Sequence, residues 1–163
     1  MARPERHDCD YFPFYARDGK TLFILEDKYG CKGTGFFTNV MRFLTLREDH
    51  WFSIQDDSDR MYFFSKCKCD EESGMDMLNI MAKTRKLYAP LWVSSAVITS
   101  PDLLESLKDA YRKRINKIIT IEEIEKSGFF RRKSTSNYSF FRRKPDRSGG
   151  FFRRKPTKER KGN

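Results

Sequence analysis

No stretch of this sequence approaches the roughly 18 uninterrupted apolar residues that a membrane-spanning helix needs, so an integral helical membrane protein is excluded and a soluble chain is expected. There is no signal-type apolar run either, which makes the cytoplasm the expected compartment. The four cysteines, Cys9, Cys31, Cys67 and Cys69, are irregularly spaced and argue against a disulfide scaffold. Cys67 and Cys69 are separated by one residue, whereas structural zinc sites place two or more between paired ligands, so no metal and no cofactor are expected. The histidines, His7 and His50, have no Ser or Cys arranged beside them as a nucleophile would require. "GCKGTG" at 30–35 lacks the spacing and the following Lys of a phosphate-cradling loop, and Gly30, Gly33 and Gly35 read instead as a helix stop and a close start of the next helix. With these features missing, no catalytic residue is assigned and an enzyme is not expected.

Charge is plentiful but unevenly placed. Residues 129–163 hold 13 Lys or Arg and 2 Asp or Glu, a net +11, while residues 1–128 hold 20 and 21, a net −1. The excess of basic charge therefore belongs to the C-terminal tail, and the body of the chain has no positive field of its own to concentrate a polyanion.

Periodicity divides residues 1–116 into short elements. Leu22, Leu25 and Tyr29 recur at helical spacing in 18–29, a helix that Gly30 would close. Phe36, Phe37, Val40, Met41 and Leu44 make one stripe on a second helix running to about residue 47. "HWFSI" at 50–54 leans to strand. Asp56, Asp57 and Asp59 suit the first turn of a helix over 57–65, since carboxylates oppose the partial charge of a helix N-terminus, and they lack the spacing of a calcium loop. Asp70 is placed to cap the next helix, with Met77, Leu78 and Met81 facing inward. "KLYAP" and "SSAVIT" lean to strand, with "PLWVS" as the tip of a small hairpin between them. Ser100 and Pro101 open a final helix to about residue 115, with Leu103, Leu104, Leu107 and Tyr111 on one face. The expected fold class is mainly α with a small β-hairpin: a winged helix-turn-helix domain at 1–116, a linker at 117–128 and a disordered basic repeat tail at 129–163. A winged helix would set the helix beginning near Asp70 in the major groove of DNA. Asp70, Glu71, Glu72 and Asp76 would oppose phosphates there, but Asn79, Lys83, Arg85 and Lys86 are candidate DNA-binding residues, since Asn can pair with adenine and Arg with guanine. A surface helix that only packs or self-associates is the competing reading.

"MARP" at the start, "DYFP" at 10–13, "LEDKYGCKGTGFFTNVMRFL" at 25–44 and "VITS" at 97–100 together resemble the Lin-like N-terminal domain. That winged-helix family of phage and mobile-element proteins is related to the N-terminal domain of DnaD-type replication initiators. The resemblance spans about residues 1–115 and implies a role in replication initiation or its regulation, with self-association through the winged helix and no catalytic residues. The chain departs from the pattern in the segment "FYARDGK" and in ending with repeats instead of a second folded domain.

The repeats are three copies of FFRRK: Phe129, Phe130, Arg131, Arg132 and Lys133; Phe140, Phe141, Arg142, Arg143 and Lys144; Phe151, Phe152, Arg153, Arg154 and Lys155. An eleven-residue period would align the Phe pairs on one helix, but Pro145, Gly149, Gly150 and Pro156 oppose a continuous helix, so short linear motifs on flexible spacers are expected. Aromatic rings beside cations suit single-stranded nucleic acid, on which bases stack while Arg and Lys neutralise phosphates. The same composition also suits an anionic membrane surface or an acidic protein groove, and a tandem expansion without a binding role is the plain alternative.

Overall fold

The computed structural model describes residues 6–14 and 19–127, and among these it is mainly helical, with seven α-helices and one two-stranded antiparallel sheet. Helix α1 (Lys20–Tyr29) ends at Gly30, whose φ of 58° is open to glycine and whose N–H donates to the Glu26 carbonyl at 2.7 Å. Helix α2 (Cys31–Thr45) starts immediately afterwards and presses against α1. A Cβ on Gly33 would lie 2.2 Å from the Leu25 carbonyl oxygen, so only glycine permits that approach. The expected stripe of Phe36, Phe37, Val40, Met41 and Leu44 is buried along α2 and forms the spine of the main core with Leu22 and Leu25.

A 3-10 turn (Glu48–His50), with Asp49 and His50 both at positive φ, leads into β1 (Trp51–Ser53). Helix α3 (Asp57–Cys67) is capped by Asp56, whose carboxylate accepts from the Ser58 N–H at 2.9 Å. Lys68 ends α3 in the left-handed region, at φ 57°. Helix α4 (Glu71–Lys83) follows and is capped by Asp70, which accepts from the Ser73 N–H at 2.8 Å. Met77, Leu78 and Met81 face inward and are fully buried, as their spacing implies.

The antiparallel sheet is present, but its strands differ in membership from a local hairpin. β1 pairs with β2 (Val97–Thr99) in the register Trp51↔Thr99, Phe52↔Ile98 and Ser53↔Val97. "PLWVS", expected as a hairpin tip, belongs instead to α5 (Ala89–Ser95). Pro90 lies in the first turn, where its fixed φ is already helical and its missing N–H costs nothing. Adjacent Leu91 and Trp92 are buried while Val93 is exposed, a helical rather than an alternating pattern. One rung of the expected pairing remains: the Tyr88 N–H donates to the Thr99 carbonyl at 3.0 Å.

Helix α6 (Pro101–Tyr111) has the expected Ser100 cap and buries Leu103, Leu104, Leu107 and Tyr111. The segment 117–128, expected as a linker, contains a folded element, α7 (Ile121–Lys126). A reciprocal capping box between Thr120 and Glu123 starts it, and the fully buried Ile124 closes a small second core with Leu91, Val97 and Leu104. The tail at 129–163 lies outside the described residues. No helix among the described residues is long and apolar enough to cross a membrane.

Candidate nucleic-acid interface

The four candidate residues of the head cluster around the end of α4. Lys83 is exposed in its last turn, and Arg85 is exposed two residues later in the left-handed region, at φ 64°. The turn is tied down by the Lys86 and Leu87 N–H groups, both of which donate to the Met81 carbonyl, at 2.8 and 3.1 Å. Lys86 folds back, 3.1 Å from Asp102, with its ammonium 5.8 Å from the centre of the Phe37 ring. Lys83 and Arg85 thus sit at a helix C-terminus, where positive charge opposes the partial negative charge of the helix end. Asn79 is separated from them in role. Its side-chain oxygen accepts from the Trp92 indole at 2.9 Å, which ties α4 to α5 and uses one of the two lone pairs of the atom that would accept from an adenine amino group.

At the other end of α4 the acidic residues are largely engaged within the fold. Asp70 makes an ion pair of 2.5 Å with Lys32, and this pair together with the cap hydrogen bonds from Ser73 holds its carboxyl well below the usual range. Asp76 lies 2.7 Å from Lys28 and also accepts a short hydrogen bond from the Tyr29 hydroxyl. Half-burial pushes the Asp76 carboxyl up, but these two hydrogen bonds outweigh it and keep the group ionised. Glu71 lies 3.0 Å from Arg60. The carboxylates expected to repel phosphates therefore act mainly as staples joining α4 to α1, α2 and α3. Glu72 stays exposed, and α4 carries no Lys or Arg ahead of Lys83.

Other cations of the head are also committed. The Arg47 guanidinium lies over the rings of Phe52 (4.5 Å), Phe43 (5.1 Å) and Tyr62 (5.5 Å). Arg114 donates to the carbonyls of Arg6 and Asp8, at 3.0 and 2.8 Å, and so straps the N-terminal segment to the end of α6. Sequence reasoning missed both roles, because a lone Arg carries no signal of the aromatic rings that the fold gathers around it.

The cysteines and histidines are dispersed. Cys67 is buried and its thiol is pushed up to about 12 by that burial. Cys9 lies beside Arg114, and His50 bonds the Leu44 carbonyl and the Tyr111 hydroxyl. Among the described residues, no group of three or more His, Cys, Asp or Glu side chains is arranged to hold a metal ion. The repeat residues Phe129 to Lys133, Phe140 to Lys144 and Phe151 to Lys155 lie outside the described residues. No family model matches the chain, and comparisons with curated proteins and with solved structures give no match.

Proposed function

We propose that this chain is a non-catalytic, DNA-associated protein of winged-helix type, acting in replication initiation or its regulation as phage and mobile-element proteins of that type do. Its folded head is a scaffold, and its tail provides most of the affinity for nucleic acid. The observation that carries the reading is the separation of charge, +11 on 129–163 against −1 on the rest. The internal pairing of Asp70, Asp76 and Glu71 supports it, because α4 is held by its own acids instead of offering an open basic face. The order of elements supports a winged-helix arrangement: α2, β1, α3, a tight turn, α4, the Tyr88–Thr99 rung and β2 beside β1. In this reading α5 stands where a wing would be. Lys83, Arg85 and Lys86 form an auxiliary phosphate contact, and Asn79 is a structural residue.

The test is binding of labelled single-stranded and duplex DNA over a range of salt concentrations. It uses the full-length chain, a variant with the nine repeat cations changed to Gln, and the double variant Lys83→Ala/Arg85→Ala. Nine phosphate contacts on a single strand contribute about −6 to the log–log salt slope, and the Gln variant should lose that contribution, keeping at most the about −3 that Arg147, Lys158, Arg160 and Lys161 can supply. The Lys83/Arg85 variant should weaken duplex binding by about tenfold or less and leave the single-strand slope nearly unchanged. Full binding by the Gln variant would refute the assignment of affinity to the tail.

A further inference from the structure

A cavity of about 400 Å³ opens where the N-terminal segment meets α1, α2 and the start of α6, and the proposed nucleic-acid contact uses none of it except Lys86 at its edge. Its floor is apolar, formed by Leu22, Phe37, Met41 and Leu103. Its volume lies at the small end of ligand sites, enough for one or two large side chains and too small for a dinucleotide cofactor. One aromatic already marks the binding mode. Phe14, 52% exposed, sets its ring edge-on to Phe37 at a centroid distance of 6.5 Å.

The rim is acidic. Asp102 and Glu105, in the first two turns of α6, line the opening, with side chains 64% and 71% exposed. Glu105 and Lys108, 2.5 Å apart, form an exposed one-to-one pair of the kind that contributes little, while Asp102 is itself exposed but its partner Lys86, 3.1 Å away, is half-buried beside Phe37. A guanidinium fork binds a carboxylate through two hydrogen bonds and can displace an ammonium from such a pair. The groove therefore asks for adjacent aromatics followed by arginines, and the same polypeptide carries that sequence three times.

We propose that the groove is the receptor for the FFRRK motif of a second copy of this chain. The Phe pair packs on Phe37, Met41 and Leu103, and the two Arg side chains meet Asp102 and Glu105. With three motifs on each tail, one chain can gather up to three heads through this groove, and head-to-tail contacts of this kind extend without closing. Successive motifs begin eleven residues apart, at most about 36–40 Å of extended chain, enough for neighbouring motifs to carry separate domains of about 120 residues, whose radius of gyration is about 14 Å. This assembly does not depend on the tail binding nucleic acid, although a polyanion would compete for the same arginines.

The test begins with light scattering and analytical ultracentrifugation of the full-length chain at low salt, without nucleic acid, over a wide concentration range. The native protein should gain mass with concentration. A variant with Phe129, Phe130, Phe140, Phe141, Phe151 and Phe152 all changed to Ala should remain monomeric, and so should Asp102→Lys/Glu105→Lys. The six-Ala protein, which keeps its groove but lacks the motif, then serves as receptor for a labelled peptide of residues 148–157 in fluorescence anisotropy. Binding should weaken by at least about tenfold when the receptor also carries Asp102→Lys/Glu105→Lys, or when the peptide's two Phe become Ala. Circular dichroism checks each receptor; if charge reversal disturbs the helices, Asp102→Asn/Glu105→Gln is read in its place. A native protein that stays monomeric throughout, association that survives in the six-Ala variant, or peptide binding indifferent to the groove would each overturn the proposal.

Discussion

Changing Tyr111 to Phe removes one oxygen atom and tests how the N-terminal half of the domain is joined to α6. The Tyr111 hydroxyl donates to His50 Nε2 at 2.7 Å, while His50 Nδ1 donates to the Leu44 carbonyl at 3.0 Å, and both side chains are buried. Phe keeps the ring, its packing and the Arg114 guanidinium 4.4 Å from its centre, so the loss is confined to the donor. A buried acceptor left without a partner costs about 1–3 kcal/mol. For a domain of this size each kcal/mol corresponds to a fall in Tm of roughly 3–6 °C. The same pair sets a pH dependence. Burial pushes the His50 imidazole below its ordinary value, so the unfolded chain takes up a proton near pH 6.5 that the folded domain still refuses. This contribution to stability is complete above about pH 6.5 and is lost as pH falls toward the folded value, by at most about 1.4 kcal/mol per pH unit. Urea unfolding followed by far-ultraviolet circular dichroism across pH 5–8 measures both effects, and His50→Gln should remove this part of the slope. A cost below about 0.5 kcal/mol for Tyr111→Phe, the range of ordinary surface changes, would refute the reasoning. An unchanged slope in His50→Gln would refute the assignment of the pH effect.

Ile124→Ala empties a fully buried site in α7 and should cost about 2–5 kcal/mol in urea unfolding, whereas a true linker would register almost nothing. Gly33→Ala drives a methyl group against the Leu25 carbonyl, and the resulting shift of α2 on α1 should cost about 1–3 kcal/mol or more by thermal unfolding. Asn79→Ala removes the hydrogen bond between Asn79 and the Trp92 indole, with an expected cost of about 0.5–1.5 kcal/mol and a shift in tryptophan emission. If Asn79→Ala instead leaves stability intact and weakens duplex binding, Asn79 is a DNA contact and its structural assignment fails.

The helices were legible where a local pattern settles them. The stripe along α2, the Asp70 and Ser100 caps, and the glycine stop after α1 each depend on residues within a few positions of one another. α5 was not, because β-leaning Leu-Tyr and Val-Ser flank a proline that serves a helix start as well as a turn. Only the distant pairing of β1 with β2 shows that "VIT" already has its partner. α7 did carry a local signal, Thr120 followed three residues later by Glu123, but its shortness and its nearness to the basic tail hid it. At the candidate interface, sequence supplied the cations at the end of α4 but not the commitment of Asn79 to Trp92, which joins positions on two different helices. The groove under Phe14 was equally hidden, since its walls come from the N-terminal segment, α1, α2 and α6.

The helix endings have a further consequence. Lys68 and Arg85, both exposed, hold the left-handed backbone after α3 and α4, where a residue with a Cβ carries a conformational cost of about 1–2 kcal/mol that glycine avoids. Glycine, a weakening substitution inside a helix, should make the domain sturdier at these two positions, by up to about 1 kcal/mol each once the greater freedom of the unfolded chain is subtracted. The domain thus holds an untapped reserve of stability at two of its own cations. Lys68→Gly would release that reserve away from the proposed phosphate contact, and Arg85→Gly would release it at the expense of that contact, so comparing the two separates what Arg85 does for folding from what it does for binding.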